Sequence, residues 1–200
     1  MIEQPEQENM KDFIIEVVKM FFLALVIIVP VRMFLFQPFI VRGASMEPNF
    51  HEREYLVINE FGYKSTPIRI LGKDLVTVES YKDLKREDVV VFRSWHDEKQ
   101  FYIKRIVGLP GETVEVDNGE VVITNAENPE GYILEEGAYL PEGRKTNGSQ
   151  KVVLAEDEYY VLGDNRPASS DSRMSGPLNK DAIIGKVLLR AWPANRLNYF

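Results

Sequence analysis

One serine and one lysine in this sequence have surroundings that suit nucleophilic catalysis. Ser45 stands in the run GASMEP, where small neighbours let a hydroxyl and its own backbone N–H reach a substrate carbonyl. A serine needs an adjacent base to remove its proton. Lys104 lies in the apolar run FYIKRIV, where Tyr102, Lys104 and Ile106 share one face of a predicted strand. If that face is buried, desolvation lowers the pKa of the lysine and makes the amine a competent base. Taken alone, the serine also suits an ordinary turn, and the lysine an exposed position.

The cysteine and histidine content narrows the choice of nucleophile and base. The chain has no cysteine, which excludes thiol nucleophiles, disulfides and metal–thiolate sites. It has two histidines, His51 in a charged HERE run and His96 in a polar loop, and both suit the surface. A histidine base is therefore disfavoured. The HERE run lacks a third ligand at a suitable spacing, so we expect no metal and no cofactor.

The charge balance argues against a nucleic-acid partner. The net charge is −7 and the pI about 5.0, whereas phosphate binding needs clustered lysine and arginine. The 28% of charged residues also argues against wholesale disorder.

Short runs rich in Val, Ile, Tyr and Phe predict β-strands after residue 50, and no long segment there has helical periodicity. Asp117-Asn118-Gly119, between two of these runs, is typical of a hairpin turn. We therefore predict a mainly β protein, an antiparallel sandwich or barrel. Residues 61–84 and 125–150 are expected to be insertions or surface excursions. The predicted strands are 54–58, 75–78, 88–92, 100–107, 113–116, 121–124, 158–162 and 184–191.

The most apolar part of the chain predicts one N-terminal transmembrane helix, an anchor over 13–36. Its uncharged core, 20–31, is shorter than the roughly 20 residues that span a bilayer. Lys19 and Arg32 flank the core and can place their charges among lipid headgroups. A buried helix and a cleaved signal peptide are the alternatives, and the acidic leading region argues against the second. The expected division is a cytoplasmic tail 1–12, the anchor 13–36 and an extracytoplasmic domain 37–200, although charge counting leaves the orientation open.

A dense polar segment, GDNRPASSDSR at 163–173, follows an apolar predicted strand. Its serine, aspartate and arginine side chains can hydrogen-bond one another into a rigid scaffold, although a solvated loop has a similar composition. The charged turn and apolar run REDVVVF at 86–92 is expected to be structural.

Four motifs resemble those of the bacterial type I signal peptidases, a family that uses a Ser/Lys dyad. GASMEP, DVVVF, IKRIVGLPGE and GDNRPASSDSR occur in the order of that family, and the resemblance extends to IIGKVLLRAWP near the C-terminus. IKRIVGLPGE together with the fourth motif is highly specific. The resemblance implies a membrane-tethered serine endopeptidase with an all-β catalytic domain outside the plasma membrane. Such enzymes remove signal peptides from secretory preproteins, cutting after small residues at −3 and −1.

The resemblance also implies roles for single residues. Ser45 would be the nucleophile, Lys104 the general base, and the backbone N–H groups of Ser45 and Gly43 the oxyanion donors. Some relatives have a serine where Gly43 stands, so oxyanion binding here would depend on backbone donors. Ser169 would hydrogen-bond the Lys104 amine and orient it. The remaining implied residues are an ion pair of Asp171 with Arg173 or Arg105, and pocket walls formed by Phe39, Val41, Met46, Tyr102 and Ile103.

The chain departs from the family pattern at Asn49, where threonine is usual, and at Ala168, where asparagine is usual. Neither is a reacting group. The expected partners are secretory preproteins and membrane lipid, and the expected state is a monomer. One alternative function is a non-catalytic, membrane-tethered β domain that binds peptides or proteins. Another is a self-cleaving repressor with the same dyad, which the anchor disfavours.

Overall fold

The computed structural model describes residues 10–34, 36–63, 66–70, 73–78, 80–97 and 99–200. Within them the chain forms two helices, fourteen strands and three short 3₁₀ turns. The helices are α1 (Met10–Phe34) and α2 (Ser172–Ser175). The strands are β1 (Phe36–Ile40), β2 (Tyr55–Asn59), β3 (Thr66–Ile70), β4 (Lys73–Val78), β5 (Val89–Arg93), β6 (Phe101–Gly108), β7 (Thr113–Asp117), β8 (Glu120–Thr124), β9 (Tyr132–Ile133), β10 (Gln150–Val153), β11 (Glu158–Leu162), β12 (Leu178–Asn179), β13 (Ile183–Trp192) and β14 (Asn198–Tyr199).

The main sheet has the order β1-β2-β13-β5-β6-β11-β12, with β14 paired to β13, among the residues described. A second sheet has the order β10-β7-β8-β9, and β3 pairs with β4 in a hairpin. Every pairing is antiparallel. The predicted mainly β, antiparallel architecture is confirmed, and each of the eight predicted strands overlaps an observed one.

Backbone conformation explains the predicted turn between β7 and β8. Asn118 and Gly119 both have positive φ, 52° and 92°, which is the conformation of a tight hairpin turn that twists with its strands. Asparagine and glycine tolerate this conformation better than other residues. Asp117 pairs with Glu120 directly across the turn, so the predicted hairpin is confirmed.

The residues 125–150, predicted to be a surface excursion, are packed over part of their length. Leu134, Tyr139, Leu140 and Thr146 are buried. The segment has little regular structure, in agreement with its Gly-, Pro-, Asn- and Glu-rich composition, but that composition did not reveal the buried residues. The hairpin of β3 and β4 falls within 61–84, and residues 64–65, 71–72 and 79 of that stretch lie outside the described residues.

The helix at the N-terminus differs in its bounds from the predicted anchor. α1 begins at Met10 and ends at Phe34, and Phe36 already belongs to β1. Lys11, Asp12, Glu16 and Lys19 lie in the first three turns. In the part of the chain that is described, no helix is both long enough and apolar enough to cross a membrane. The anchor over 13–36 is not confirmed and stays a prediction; residues 1–9 of the predicted tail lie outside the described residues.

Candidate active site

Ser45 lies in a loop between β1 and β2, hereafter the Ser45 loop (residues 41–54). The base of the loop is closed by hydrogen bonds between Val41 and two residues near its other end, Arg53 and Glu54. Phe50 and Met46 are buried under the loop in the core formed by β1, β2, β5 and β13. Burying a side chain of this size stabilises a fold by about 1.5–3 kcal/mol, so the loop is anchored from below. Ser45 itself remains partly accessible.

Lys104 extends from β6 towards this serine. Its Nζ lies 2.8 Å from Oγ of Ser45 and donates a hydrogen bond of 2.9 Å to the carbonyl of Ile103. Only 3% of the lysine is exposed. Burial lowers the pKa of Lys104 to about 8, and the negative charges of Asp171 and Asp164 oppose this shift. A minority of the amine is therefore neutral near pH 7, and the neutral form predominates above about pH 8.

The polar segment 163–173 forms the scaffold that its composition suggested. Asp171 is fully buried and accepts hydrogen bonds from Nε and Nη2 of Arg173, both at 2.8 Å, and from the N–H of Gly163 at 3.0 Å. Burial raises the pKa of Asp171, but the hydrogen bonds from Arg173 and Gly163 outweigh it and hold the pKa below its usual value. Arg105, the other expected partner of Asp171, pairs instead with Asp164 through Nε and Nη2 at 2.9 and 2.7 Å.

The Ser169 hydroxyl lies close enough to Asp171 to help lower the pKa of that carboxylate. It is shielded from solvent and has no partner of ordinary hydrogen-bond geometry among the described residues, so the expected hydrogen bond to Lys104 is not seen. A Cβ at Gly163 would lie 2.2 Å from Oγ of Ser169 and 2.5 Å from the carbonyl oxygen of Ser45. Only glycine permits this approach. The Ser169 hydroxyl is thus close to the backbone of the catalytic candidate, and its orienting role stays a prediction.

A residue that sequence reasoning missed, Asn165, holds the backbone around Ser45. Its N–H donates to the carbonyl of Ser45 at 3.0 Å, and its side-chain Nδ2 donates to the carbonyl of Ala44 at 3.0 Å. Asn165 stands next to Asp164, which is fixed by Arg105. The contact joins residues about 120 positions apart, and only their proximity in the fold reveals it.

The two expected oxyanion donors, the N–H groups of Gly43 and Ser45, donate no backbone hydrogen bond to other described residues. Gly43 has φ +80°, a conformation that L side chains rarely adopt, although a Cβ there would meet open space. A serine at this position would therefore be strained by its backbone.

A groove of about 500 Å³ begins at Ser45 and Lys104 and follows β1 and the first half of β6. Four of the five expected pocket residues line it, namely Phe39, Val41, Tyr102 and Ile103. Met46 does not, because its side chain is only 1% exposed in the core below the loop. The rings of Phe39 and Phe101 meet across the groove edge-to-face, with centroids 5.3 Å apart. The complete lining is Phe39, Ile40, Val41, Arg42, Ser45, Leu56, Val91, Lys99, Gln100, Phe101, Tyr102, Ile103 and Lys104.

Two strand edges along this groove are open. Among the described strands, β1 pairs only with β2. Along β6, pairing with β5 covers residues 101–105, whereas β11 pairs with β6 only from Arg105 onwards. The backbone of 101–104 therefore has one side free for another strand.

His51 contacts an arginine and a glutamate, and His96 lies at the surface. Nδ1 of His51 lies 2.8 Å from Nη1 of Arg196 and 3.8 Å from Oε1 of Glu54. His96 is exposed in the turn before β6. The hydrogen bond of Ser45 is made with Lys104.

Comparison with known proteins gives the family. The model of the family described as signal peptidase, peptidase S26, matches residues 14–192. A signal peptidase I P from Bacillus subtilis subsp. natto is 32% identical over 197 residues, 97% of each chain. A signal peptidase IB from Staphylococcus aureus (strain MRSA252) is 30% identical over 200 residues, 95% of each chain. A crystal structure of a signal peptidase I from Enterococcus faecalis V583 covers 54% of this chain and 98% of its own, at 29% identity and a TM-score of 0.43. On the family model and these near full-length identities, the chain belongs to the signal peptidase I family, peptidase S26.

Proposed function

We propose that this protein is a serine endopeptidase that removes signal peptides from secretory preproteins, with Ser45 as nucleophile and Lys104 as general base. The observation that carries the proposal is the 2.8 Å separation of the buried Lys104 amine from the Ser45 hydroxyl. Family membership supports the reaction class, and the geometry supports the assignment of the two residues.

The reaction follows from the protonation states of the pair. The neutral amine of Lys104 takes the hydroxyl proton of Ser45 while Oγ attacks the scissile carbonyl. The N–H groups of Ser45 and Gly43 are the donors that would bind the resulting oxyanion. The protonated Lys104 then gives its proton to the leaving amine, and the peptide C–N bond breaks to leave an acyl-enzyme. Water, losing its proton to the same amine, hydrolyses the ester and restores Ser45.

The substrate would bind as an extended strand between the open edges of β1 and β6, where main-chain hydrogen bonds can hold it. Successive side chains of a strand alternate between faces, so positions −1 and −3 point to the same wall. Phe39, Val41 and Ile103 line the groove beside Ser45. In this proposal they form that wall and restrict positions −3 and −1 to small side chains.

The apolar helix α1 supports a membrane location. From Met20 to Ile28 its large apolar side chains are at least 43% exposed, on every face of the helix. Lipid is the solvent that such a surface favours. Although no described helix is by itself both long enough and apolar enough to cross a membrane, we propose that α1 anchors the protein in the plasma membrane in a single pass, with the catalytic domain on the extracytoplasmic face and the protein as a monomer.

Cleavage of a model preprotein with an Ala-x-Ala site by detergent-solubilised protein tests the assignment. Ser45→Ala and Lys104→Ala should each abolish cleavage, whereas the double variant His51→Ala/His96→Ala should retain it. Lys151→Ala and Ser149→Ala are matched controls, because both residues are exposed and remote in sequence from the groove. Cleavage that survives Lys104→Ala but not loss of the histidines would contradict the dyad. Binding of the preprotein without cleavage by the unmodified protein would favour a tethered peptide-binding domain.

A further inference from the structure

Glu136, in the segment 134–146, forms a largely buried ion pair with Arg166 that the proposed reaction does not use. Arg166, only 2% exposed, extends from the 163–173 scaffold into this segment. Its Nη1 donates to Oε2 of Glu136 at 2.9 Å, and its Nη2 donates to Oε1 of the same carboxylate. Nη1 also contacts the hydroxyl of Thr146, and Nε donates to the carbonyl of Gly163 at 3.1 Å. The guanidinium is thus enclosed by both ends of the segment and tied to the scaffold.

Tyr139 connects Glu136 to a second ion pair. Its hydroxyl donates to Oε1 of Glu136 at 2.8 Å. The guanidinium of Arg105 lies over its ring, 4.3 Å from the centroid, and is the group that fixes Asp164. A cation stacked on a ring in a largely buried site gains from the electron density of the face. Tyr139 therefore lies between the two arginine–carboxylate pairs, in contact with a member of each.

Asn49 joins this network to the Ser45 loop. Its Nδ2 donates to the backbone carbonyl of Tyr139 at 2.6 Å and to Oδ2 of Asp164 at 2.8 Å. Asn49 stands four residues after Ser45, next to the buried Phe50. Both donor positions of one amide are used, one on the segment 134–146 and one on the scaffold.

We propose that the segment 134–146 is a positioning element for Ser45, and that it acts through Glu136, Tyr139 and Asn49. The Ser45 loop is held by Asn165 from one direction, by Phe50 from below and by Arg190, which donates to the carbonyl of Asn49. The Asn49 side chain adds a contact from the side of this segment. Loosening that side-chain contact leaves the fold and the groove in place but lets Ser45 move relative to Lys104. The expected change in kcat rests on the proposed function, whereas the expected change in the mobility of the Ser45 loop rests on the structure alone.

Two variants test the proposal, each with a matched control. Asn49→Ala removes both hydrogen bonds of the amide, and Glu136→Gln removes the charge that pairs with Arg166 at constant size. The controls are Asn195→Ala and Glu135→Gln, at exposed positions. Each test variant should lower kcat about tenfold, because a loosened loop holds Ser45 less firmly against Lys104, and leave KM within about twofold. The double variant should lose less than the product of the two, because both substitutions act on one network.

Hydrogen–deuterium exchange of peptides that cover the Ser45 loop gives a readout independent of cleavage. Exchange there should rise in Asn49→Ala and Glu136→Gln, and should match the unmodified protein in both controls. Tyr139→Phe keeps the ring under Arg105 and removes only the hydroxyl, so it is the variant least prone to misfold. Exchange of the Ser45 loop should rise less in Tyr139→Phe than in Asn49→Ala or Glu136→Gln. Unchanged exchange, or unchanged kcat in a protein whose Ser45→Ala variant is inactive, would overturn the proposal. Changed exchange in a chain that cleaves nothing would overturn the proposed function and leave the positioning role standing.

Discussion

The carbonyl of Ser45 accepts a hydrogen bond of 3.0 Å from the backbone N–H of Asn165, which stands in the same scaffold segment as Asp171. The serine loop and the scaffold are thereby joined through main-chain atoms, and among substitutions of Asn165 only proline removes the donor itself. Lys104 reaches the hydroxyl from β6, a separate element. The scaffold, through the Ser45 loop, and β6, through Lys104, therefore meet at the hydrogen bond between Lys104 and Ser45. The pKa of Lys104 and the residues packed around this bond decide how cleavage responds to pH and to substitution.

Cleavage should rise with pH through the titration of Lys104. The reactive amine is neutral, and burial lowers its pKa to about 8, so protonation removes the base as the pH falls below that value. We expect kcat/KM to fall about tenfold per pH unit on the acidic side of the profile, with an apparent pKa near that of the amine. Measurement of kcat/KM from pH 6 to pH 10 tests this. A limb near 6.5, the usual pKa of histidine, would contradict the assignment.

Lys104→Met should be more stable than the unmodified protein at neutral pH. The pKa of Lys104 falls from 10.5 to about 8 on folding, so between these values the unfolded chain binds more protons than the folded one. The free energy of unfolding of the unmodified protein then rises with pH across this window, by roughly 3 kcal/mol in total. Below the window the full cost of burying the ammonium is present, and Lys104→Met escapes it.

Denaturant unfolding in detergent at pH 7 and pH 10 measures this difference. Lys151→Met is the control, because its lysine is 63% exposed and should leave the pH dependence as it was. If Lys104→Met and the unmodified protein show parallel pH dependence, the amine is not buried in solution.

Asp171→Asn should change the pH dependence of kcat/KM and the stability of the protein through two different interactions. Its carboxylate raises the pKa of Lys104 against the effect of burial, so its loss should move the acidic limb of kcat/KM to lower pH. The same change leaves Arg173 buried without its carboxylate, which costs roughly 3–5 kcal/mol of stability. Because the pKa of Asp171 is lowered, its own contribution to stability is present above the ordinary carboxyl pKa and disappears as the pH falls through its folded value. Glu130→Gln, in an exposed turn, serves as control; a limb displaced to higher pH would contradict the account.

Phe101→Ala should widen the substrate specificity. Its ring packs against that of Phe39 in the groove wall, so removal should admit larger side chains at −3. The fully formed wall at the Ser45 end would still require a small residue at −1. Cleavage of a preprotein series with Ala, Val, Leu and Phe at each position reads this out. Phe61→Ala is the matched control, since Phe61 is also 45% exposed and packs edge-to-face on a ring elsewhere, that of Tyr81.

The sequence predicts the strands of this fold well because their alternation and turn residues are local signals. Val114 and Val116 in β7 and Val121 and Ile123 in β8 alternate with more exposed residues, and with Asn118-Gly119 between the strands they are sufficient to place that hairpin. The anchor was harder to delimit: apolar character continues from α1 into β1, and hydropathy does not distinguish the end of a helix from the start of an apolar strand. Phe36, the last residue of the predicted anchor, lies in β1.

The residues of the candidate site also fall into those that local sequence signals could select and those that only the fold reveals. Ser45 and Lys104 could be selected from residue chemistry and the family resemblance, and the structure brings them together. Which arginine pairs with Asp171 could not be selected, because Arg105 and Arg173 are both close in the fold and only tertiary geometry assigns Arg105 to Asp164. The supports from Asn165, Asn49 and residues 134–146 join positions 90 or more apart in sequence. Local pattern carries no information about such pairs.

The most direct test of the central claim is the pKa of the Lys104 amine itself in the folded protein. NMR of protein with labelled lysine side chains, assigned by comparison with Lys104→Arg, follows that amine through a pH titration. The structure predicts a midpoint of about 8, well below that of the exposed lysines. A midpoint at or above 10.5, the ordinary pKa of a lysine, would mean that Lys104 is a charged, solvated group and cannot be the base for Ser45.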